Sequence, residues 1–339
     1  MKIIVPVSLV LILLAIVLPI FLLSPGNNAN AIESPTEAAV AGDLVSDTSA
    51  ETLDKSLTVR LLDDDSIQEM SMYDYLIGVV SAEMPVTFED EALKAQTVTA
   101  RTYTLYKMCV SPNTTHPDAD VCGDYNCCAA YSSPEALQER WGDAYEDNYN
   151  RIAACVRATD GLYIDYDGQP ILAVFHSSSS GATEASVSVW GGELPYLQSV
   201  RSFEEGTDIP NFYTSVELTY DEFAADVLAA YPDAALDAGD TGGWITDVVR
   251  SDAGRIISIT VGGVTMKGSA FRTLFSLRSA NIEIAGGEAG FTLSTQGFGH
   301  GVGMSQYGAD FLAAMGLDAA HILTWYYTDV TLQTMDTLF

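Results

Sequence analysis

The chain has 339 residues, enough for one large domain or two ordinary ones with a hydrophobic core. Lys and Arg number 15 against 46 Asp and Glu, so the formal net charge is −31. Nucleic acid is therefore excluded as a partner, because phosphate binding needs clustered cations and the sequence has none.

The N-terminus carries an apolar run over residues 3–23, preceded by a single lysine. A membrane-spanning helix needs about 20 apolar residues, whereas the core of a signal peptide has ~7–15. A cleavage site at 29–31 makes a removed signal peptide the alternative to a retained anchor. We favour an anchor over 1–24, with the rest of the chain outside the cytoplasm. Residues 25–55 lack periodicity and large apolar side chains, which is typical of a flexible linker.

Hydrophobic patterns and breakers predict mixed strands and helices over residues 56–335. In chain order they predict a strand at 57–62, a helix at 72–84 ended by Pro85, a helix capped by Thr87 and running to Met108, a loop at 111–131, and helical pattern in two pieces at 133–158. There follow a hairpin of strands 162–166 and 170–175, a small-residue loop at 176–183, a helix at 220–230, strands at 248–250 and 255–261, a helix at 269–277, a strand at 291–295, helices at 305–315 and 319–326, and a short last strand. Strict βαβ alternation is absent. The expected class is therefore α+β, with mostly antiparallel strands in one large ectodomain and 202–289 as an inserted subdomain.

The helix at 72–84 places one carboxylate among apolar side chains. Leu76, Val79, Val80 and Met84 fall at helical spacing, and Glu83 lies on the same stripe. A carboxylate that loses hydration has a raised pKa, and an acid that keeps its proton near neutral pH can protonate a leaving group. The alternative is that Glu83 lies at the edge of the stripe, where it reaches water or pairs with a cation.

The loop at 111–131 contains His116, Cys122 and Cys128, which are one imidazole and two thiols of the kind that zinc prefers. Cys127 is adjacent to Cys128, and one side chain of such a pair usually points away. A disulfide from Cys122 to either neighbour, or free thiols, is the alternative. Because no second histidine lies nearby in sequence, we expect a structural rather than a catalytic zinc.

Glycine is dense between Gly297 and Gly308, around His300, Gln306 and Tyr307. Such density lets the backbone approach a ligand closely, and neighbouring glycines do not readily bury a histidine. We interpret this stretch as ligand-binding, and the alternative is a tight turn packed under the final helix. The Lys–Ser/Thr end of a phosphate loop is missing, so nucleotide binding is not expected.

These segments together resemble the stage II sporulation protein D family over roughly residues 56–335. The resemblance rests on YLIGVVSAEMP at 75–85, EALKAQ at 91–96, ARTY at 100–103, the cysteine loop at 120–131, FHS at 175–177, SGATE at 180–184, PYL at 195–197 and, most distinctively, GHGVGMSQYGA at 299–309. Cys127 departs from the family pattern as an extra thiol, which leaves open whether Cys127 or Cys128 binds a metal.

The resemblance implies a membrane-anchored lytic transglycosylase of endospore-forming bacteria, which cuts the glycan strands of peptidoglycan during engulfment of the forespore. It implies a preference for strands stripped of stem peptides. An amidase and other engulfment membrane proteins are the implied partners, in the mother-cell membrane facing the forespore. The catalytic acid of the family corresponds to Glu83, and its zinc ligands correspond to His116, Cys122 and Cys128.

For that reaction, polar residues of the matching motifs are expected to bind the sugar. Lys94 and Arg101 point the same way on one helix and are candidates to hold the glycan or its lactyl carboxylate; neutralisation of nearby acids is the alternative. The other candidates are Tyr103, Ser178, His300, Gln306 and Tyr307. The alternative function is a non-catalytic glycan-binding module that enhances a partner amidase, and a zinc-dependent hydrolase is a third.

Overall fold

The computed structural model describes residues 52–204 and 209–338. The helices are α1 Leu53–Ser56, α2 Met72–Glu83, α3 Asp90–Cys109, α4 Pro134–Trp141, α5 Tyr145–Ala158, α6 Ser186–Trp190, α7 Tyr220–Ala230, α8 Gly268–Leu274, α9 Gln306–Ala314 and α10 Ala319–Tyr326. The strands are β1 Thr58–Asp63, β2 Ser66–Ser71, β3 Val121–Cys122, β4 Leu162–Tyr166, β5 Gln169–Pro170, β6 Phe175–His176, β7 Tyr213–Thr219, β8 Ile245–Arg250, β9 Ile256–Val261, β10 Val264–Lys267, β11 Ile282–Gly286, β12 Gly290–Gln296, β13 Met304–Ser305 and β14 Thr331–Thr334. Helices and mostly antiparallel sheets are mixed along the chain, so the fold is α+β as expected.

The N-terminal predictions fall mainly beyond the described part of the chain. The anchor expected over 1–24 lies outside the described residues, as does the linker up to residue 51. The last linker residues were assigned wrongly, because α1 begins at Leu53 and its Asp54 is fully buried. Across 52–204 and 209–338, no helix has both the length and the apolar character needed to cross a bilayer.

Helix α3 is the centre of the main hydrophobic core and contacts α2, α5, α9, α10 and β4. Its buried face includes threonines as well as apolar residues. The hydroxyls of Thr97, Thr102 and Thr104 each donate to the carbonyl four residues earlier, at 2.6–2.9 Å. Each buried hydroxyl therefore has a partner, and a polar helix can be packed on several sides.

The start of α3 differs from the sequence prediction. The amide of Phe88 donates to the carbonyl of Pro85, so residues 85–88 form a turn instead of a helix start. Glu89 rather than Thr87 is the N-cap residue. The turn separates α2 from α3 and leaves Glu83 near the C-terminal end of its helix.

The hairpin expected over 162–175 is much shorter than predicted. Only Gln169–Pro170 pairs with β4. Proline lacks an amide hydrogen and so cannot continue a ladder as a donor. Further on, Phe175 and His176 instead form parallel pairs with Met304 and Ser305. This pairing brings the small-residue loop after His176 against the glycine-rich segment near the C-terminus.

A second hydrophobic cluster is built from residues between 216 and 293. Two three-stranded antiparallel sheets, β11–β12–β7 and β10–β9–β8, surround it together with α7 and α8. Its centre is aromatic, with Phe223 packed against Phe275 and Phe291 at 4.8 and 4.7 Å between ring centroids. Strand β12 leads directly from this cluster into Gly297–Gly303. The inserted-subdomain boundaries at 202 and 289 stay a prediction.

Candidate active site

Glu83 is the last residue of α2, and its helix is fixed at both ends. The Ser71 hydroxyl accepts from the amide of Asp74 at 3.1 Å and caps the start of the helix. Pro85 cannot continue the helix at its other end. Leu76, Val79 and Val80 have no exposed surface, and Glu83 on the same stripe is half-buried.

The Glu83 carboxylate accepts a hydrogen bond of 2.6 Å from the amide of Ala130. The Gln306 side-chain amide donates to the Glu83 carbonyl oxygen at 3.2 Å. Burial raises the pKa of Glu83 above its ordinary value, and the hydrogen bond from the Ala130 amide to the carboxylate offsets only part of that effect. Within the described residues Glu83 forms no ion pair, so desolvation dominates its titration.

Glu83 lies in a cavity of about 220 Å³ that segments far apart in sequence form together. We call this space the Glu83 cavity; its lining residues are Glu83, Pro85, Phe88, Ser177, Pro210, Asn211, Phe298, Gln306 and Tyr307. Glu83 is the one acid among them. The sequence-predicted Gln306 and Tyr307 are thus brought to Glu83, whereas Ser177, Asn211 and Phe298 were not identified as site residues.

A buried carboxylate on Glu204 holds two walls of this cavity together. It accepts from the amide of Ser179 at 2.6 Å and from the hydroxyls of Ser202 and Ser305, each at 2.5 Å. The carbonyl of Ser177 also accepts from the amide of Tyr307 at 3.0 Å. The sequence offered no signal for Glu204, because its partners lie up to 101 residues away.

The cysteine loop brings three potential metal ligands together. The ligand atoms of His116, Cys122 and Cys127 all lie within 4.8 Å of one another. The third member of this group is Cys127 rather than the expected Cys128, whose sulfur lies 3.9 Å from that of Cys127. All five cysteines are free thiols, so the alternative disulfide is not formed.

The donor set of this loop fits a zinc ion. One imidazole and two or three thiols are typical zinc ligands, and their spacing requires only a small contraction to reach a common ion. The fold gives the loop a link to Glu83. Ala130, which binds the Glu83 carboxylate, follows Cys128 by two residues, so restraint of the loop also restrains that amide.

Comparison with known proteins places these features in one family. The chain is 34% identical over 290 residues to Stage II sporulation protein D of Bacillus subtilis (strain 168), covering 85% of this chain and 82% of that protein. It is 33% identical over 281 residues to the protein of the same name from Bacillus amyloliquefaciens, covering 83% and 79%.

The chain belongs to the stage II sporulation protein D family. The family model described as Stage II sporulation protein matches residues 63–166, which include Glu83 and the cysteine loop. A protein named Amidase enhancer from Bacillus subtilis (strain 168) is 29% identical over 303 residues, covering 76% of this chain and 40% of that protein.

In this member of the family, Arg101 is not at the site. Its side chain has no exposed surface and forms an ion pair with Asp54, which is equally buried. Its Nη1 donates to the carbonyl of Leu162 at 2.9 Å. The expectation that Arg101 binds substrate was therefore wrong, because no ligand can reach its guanidinium in this fold.

Lys94 and Tyr103 also lie apart from the Glu83 cavity. The ammonium of Lys94 is 2.6 Å from the carboxylate of Glu91, which agrees with the alternative that it neutralises an acid. The Tyr103 hydroxyl donates to the carbonyl of Cys127 at 3.3 Å and so supports the cysteine loop. Neither residue lines the cavity.

Ser178 and His300 are turned away as well. Ser178 is fully buried and its backbone pairs with that of Phe298, while the neighbouring Ser177 lines the cavity. His300 lines a separate cavity of about 40 Å³ with Glu184, Arg255 and other residues. Burial, together with the cations Arg255 and Arg272, lowers the pKa of His300 to about 4.

Proposed function

We propose that the chain is a lytic transglycosylase that cuts the glycan strands of peptidoglycan, preferentially strands stripped of stem peptides. The observation that carries the proposal is a single half-buried carboxylate, with a raised pKa, in a cavity that has no second acid among its described lining residues. Most glycosidases need two carboxylates, one as the acid and one to activate water or form an adduct. A lyase needs one, because the attacking oxygen belongs to the substrate.

In this mechanism Glu83 acts first as an acid and then as a base. The protonated carboxyl donates its proton to the oxygen that joins N-acetylmuramic acid to N-acetylglucosamine, and the C1–O bond breaks. The resulting carboxylate removes the proton from the C6 hydroxyl of the muramyl residue. The C6 oxygen then bonds to C1 and yields a 1,6-anhydro end. Glu83 finishes protonated, ready for the next cycle.

The cavity supplies orientation for these steps. The Ala130 amide holds one carboxylate oxygen of Glu83, which restricts the rotation of the side chain. Gln306, Tyr307 and Asn211 offer donors and acceptors for sugar hydroxyl and acetamido groups. Phe88 and Tyr307 pack edge to face at 4.9 Å between ring centroids and form an apolar wall.

We assign zinc a structural role in the cysteine loop. His116, Cys122 and either Cys127 or Cys128 would be its ligands. By accepting these donor atoms, the ion would cross-link the loop. The loop residue Ala130 then presents its amide to Glu83 from a restrained backbone.

The names of the relatives support a role in sporulation. In that setting we propose peptidoglycan and its amidase as partners, along with other engulfment membrane proteins. The apolar run at 3–23 supports an anchor over 1–24 in the mother-cell membrane, with residues 56–335 facing the forespore.

Digestion of purified, peptide-free glycan strands tests the proposal. We expect anhydro-muramyl products from the unaltered chain and none from Glu83→Gln, with equal strand binding by both. Glu89→Gln is the matched control, since Glu89 is exposed and outside the cavity lining. Equal cleavage by the unaltered chain and Glu83→Gln would remove Glu83 from the mechanism.

A second function is a non-catalytic glycan module that enhances a partner amidase, which the similarity to the Amidase enhancer protein favours. In that case the unaltered chain releases no anhydro products but binds strands and accelerates an added amidase. A third, zinc-dependent hydrolysis, predicts reducing ends without anhydro rings and complete loss of cleavage under chelation. The cleavage products therefore distinguish the three functions: anhydro ends, no cleavage of the strands, or reducing ends.

A further inference from the structure

Arg278 lies next to the Glu83 cavity, over the ring of one of its lining residues, although no sequence motif pointed to it and it does not itself line the cavity. Its guanidinium carbon lies 4.7 Å above the centroid of the Phe298 ring, and Phe298 lines the cavity. The Arg278 side chain is exposed, so a glycan that extends from the cavity past Phe298 can approach it. This arrangement is a cation placed on an aromatic wall of the site.

The backbone around this pair is held in place. The amide of Gly299 donates to the carbonyl of Arg278 at 3.0 Å, so the two segments are joined next to the aromatic ring. The backbone of Phe298 pairs in both directions with Ser178, at 2.9 and 3.1 Å. The backbone that carries Arg278 and Phe298 is therefore set before any ligand binds, and less conformational freedom of these segments is lost on binding.

The negative charge of the chain makes a cation near the Glu83 cavity important for binding an anion. The chain carries a net charge of −31, and the pKa of the cavity residue Tyr307 is raised by burial and, in addition, by the nearby charge of Asp310. Glu83 is itself negative in the second half of the proposed reaction. An anionic ligand is repelled from such a site unless a cation offsets the field. Arg101 and Lys94, which the sequence suggested for this task, are held by Asp54 and Glu91.

The glycan supplies one anion per muramic acid. The lactyl group of that sugar ends in a carboxylate when the stem peptide is absent, and in a neutral amide link when the peptide is attached. An arginine guanidinium binds a carboxylate with two parallel hydrogen bonds, which an amide cannot reproduce. We propose that Arg278 binds the free lactyl carboxylate of a muramic acid residue at the Glu83 cavity. This inference rests on the proposed function and adds a means of selecting strands without peptides.

The test compares two substrates and three variants of the full chain. The substrates are peptide-free strands and the same strands with their lactyl carboxylates converted to methylamides, which keeps their size and removes their charge. We expect Arg278→Gln to raise KM for the anionic strands roughly five- to ten-fold, with kcat retained. The unaltered chain should discriminate against the methylamide strands by a similar factor, and Arg278→Gln should treat both substrates alike. Arg278→Lys should recover part of the discrimination, because it restores the charge but not the paired hydrogen bonds.

Arg201→Gln is the matched control. Arg201 is also exposed and lies 4.8 Å above a phenylalanine ring, that of Phe203, but Phe203 does not line the cavity. We expect unchanged discrimination in this variant. An unchanged KM in Arg278→Gln, or an equal loss on both substrates, would overturn the proposal.

Failure of the catalytic proposal leaves a different signature. If the unaltered chain forms no anhydro products, the same comparison is made by strand binding in the Glu83→Gln background. Discrimination between the two substrates that disappears with Arg278→Gln then supports the carboxylate site by itself. Equal binding of both substrates by chains with and without Arg278 refutes it.

Discussion

Substitution of Asp54 tests whether Arg101 is a core residue or a ligand-binding one. Both side chains of the pair have no exposed surface. Arg101 Nε donates to Asp54 Oδ1 at 2.7 Å, and Nη2 donates to the other carboxylate oxygen. In Asp54→Asn the guanidinium keeps its charge and its bond to Leu162, but loses its counter-ion in a dry environment.

The expected destabilisation is about 3 kcal/mol. Removal of one partner of a buried ion pair costs about 3–5 kcal/mol, and the lower end applies because the asparagine oxygen still accepts one hydrogen bond. This corresponds to a change of roughly 150-fold in the ratio of folded to unfolded chain. Equilibrium urea unfolding at neutral pH, followed by circular dichroism, gives the free energy from the shift in midpoint.

The matched control is Asp90→Asn, since Asp90 pairs with Arg151 at 2.8 Å where the carboxylate is exposed and the guanidinium is partly exposed. Its loss should be at most about 1 kcal/mol. The fraction of Asp54→Asn that is folded should retain the glycan KM of the unaltered chain. A loss below 1 kcal/mol, or a raised KM without destabilisation, would refute the assignment of Arg101 to the core.

The remaining predictions concern Glu83 and the loop beside it. Burial raises the pKa of Glu83 in the folded chain, so ionisation of Glu83 opposes folding as the pH rises through that pKa. Glu83→Gln should therefore raise the urea midpoint at pH 7 but not at pH 4. An equal rise in the midpoint at both pH values would contradict this. Gly78→Ala should reduce both the stability of the chain and its cleavage of glycan strands, because the added methyl would lie 2.2 Å from the ring of Tyr131, the neighbour of Ala130. Stability and cleavage equal to those of the unaltered chain would exclude this clash. Cys122→Ser should lower the bound zinc, measured by elemental analysis, and the melting temperature, and full zinc content would remove Cys122 from the site.

Local sequence signals were sufficient for α2 and its acid. The apolar spacing of Leu76, Val79 and Val80 and the stop at Pro85 both act within one helix, to which the structure adds a cap at Ser71. Burial raises the pKa of Glu83, which agrees with the expectation from the stripe, whereas the pattern alone had left a water-exposed edge as the alternative. Gln306 and Tyr307 were found because their motif is distinctive, although the sequence did not show which wall they form.

The rest of the cavity could not be read from local patterns. Ser177 reaches the site because Phe175–His176 pairs in parallel with Met304–Ser305, and parallel pairing joins segments without a turn signal between them. Asn211 has a left-handed backbone, with φ of 59°, and precedes a residue whose carbonyl accepts from Gly297. Such contacts depend on tertiary packing, which overrides the local preferences of a loop.

The Lys and Arg residues show that a low number of cations does not by itself identify the ones that bind a ligand. With 15 Lys and Arg against 46 acids, each cation drew attention from the sequence, and helical spacing put Lys94 and Arg101 on one face. A helix face can be directed inward as well as outward, and burial of Arg101 required Asp54, which is 47 residues away in a segment expected to be a linker. Arg278 lies in a short connection without periodicity, yet it is exposed over an aromatic wall of the cavity. In a chain this acidic, we therefore look for the cation available to an anionic sugar by its exposure near the site, because a guanidinium paired in the core, as that of Arg101 is, cannot be reached by a ligand.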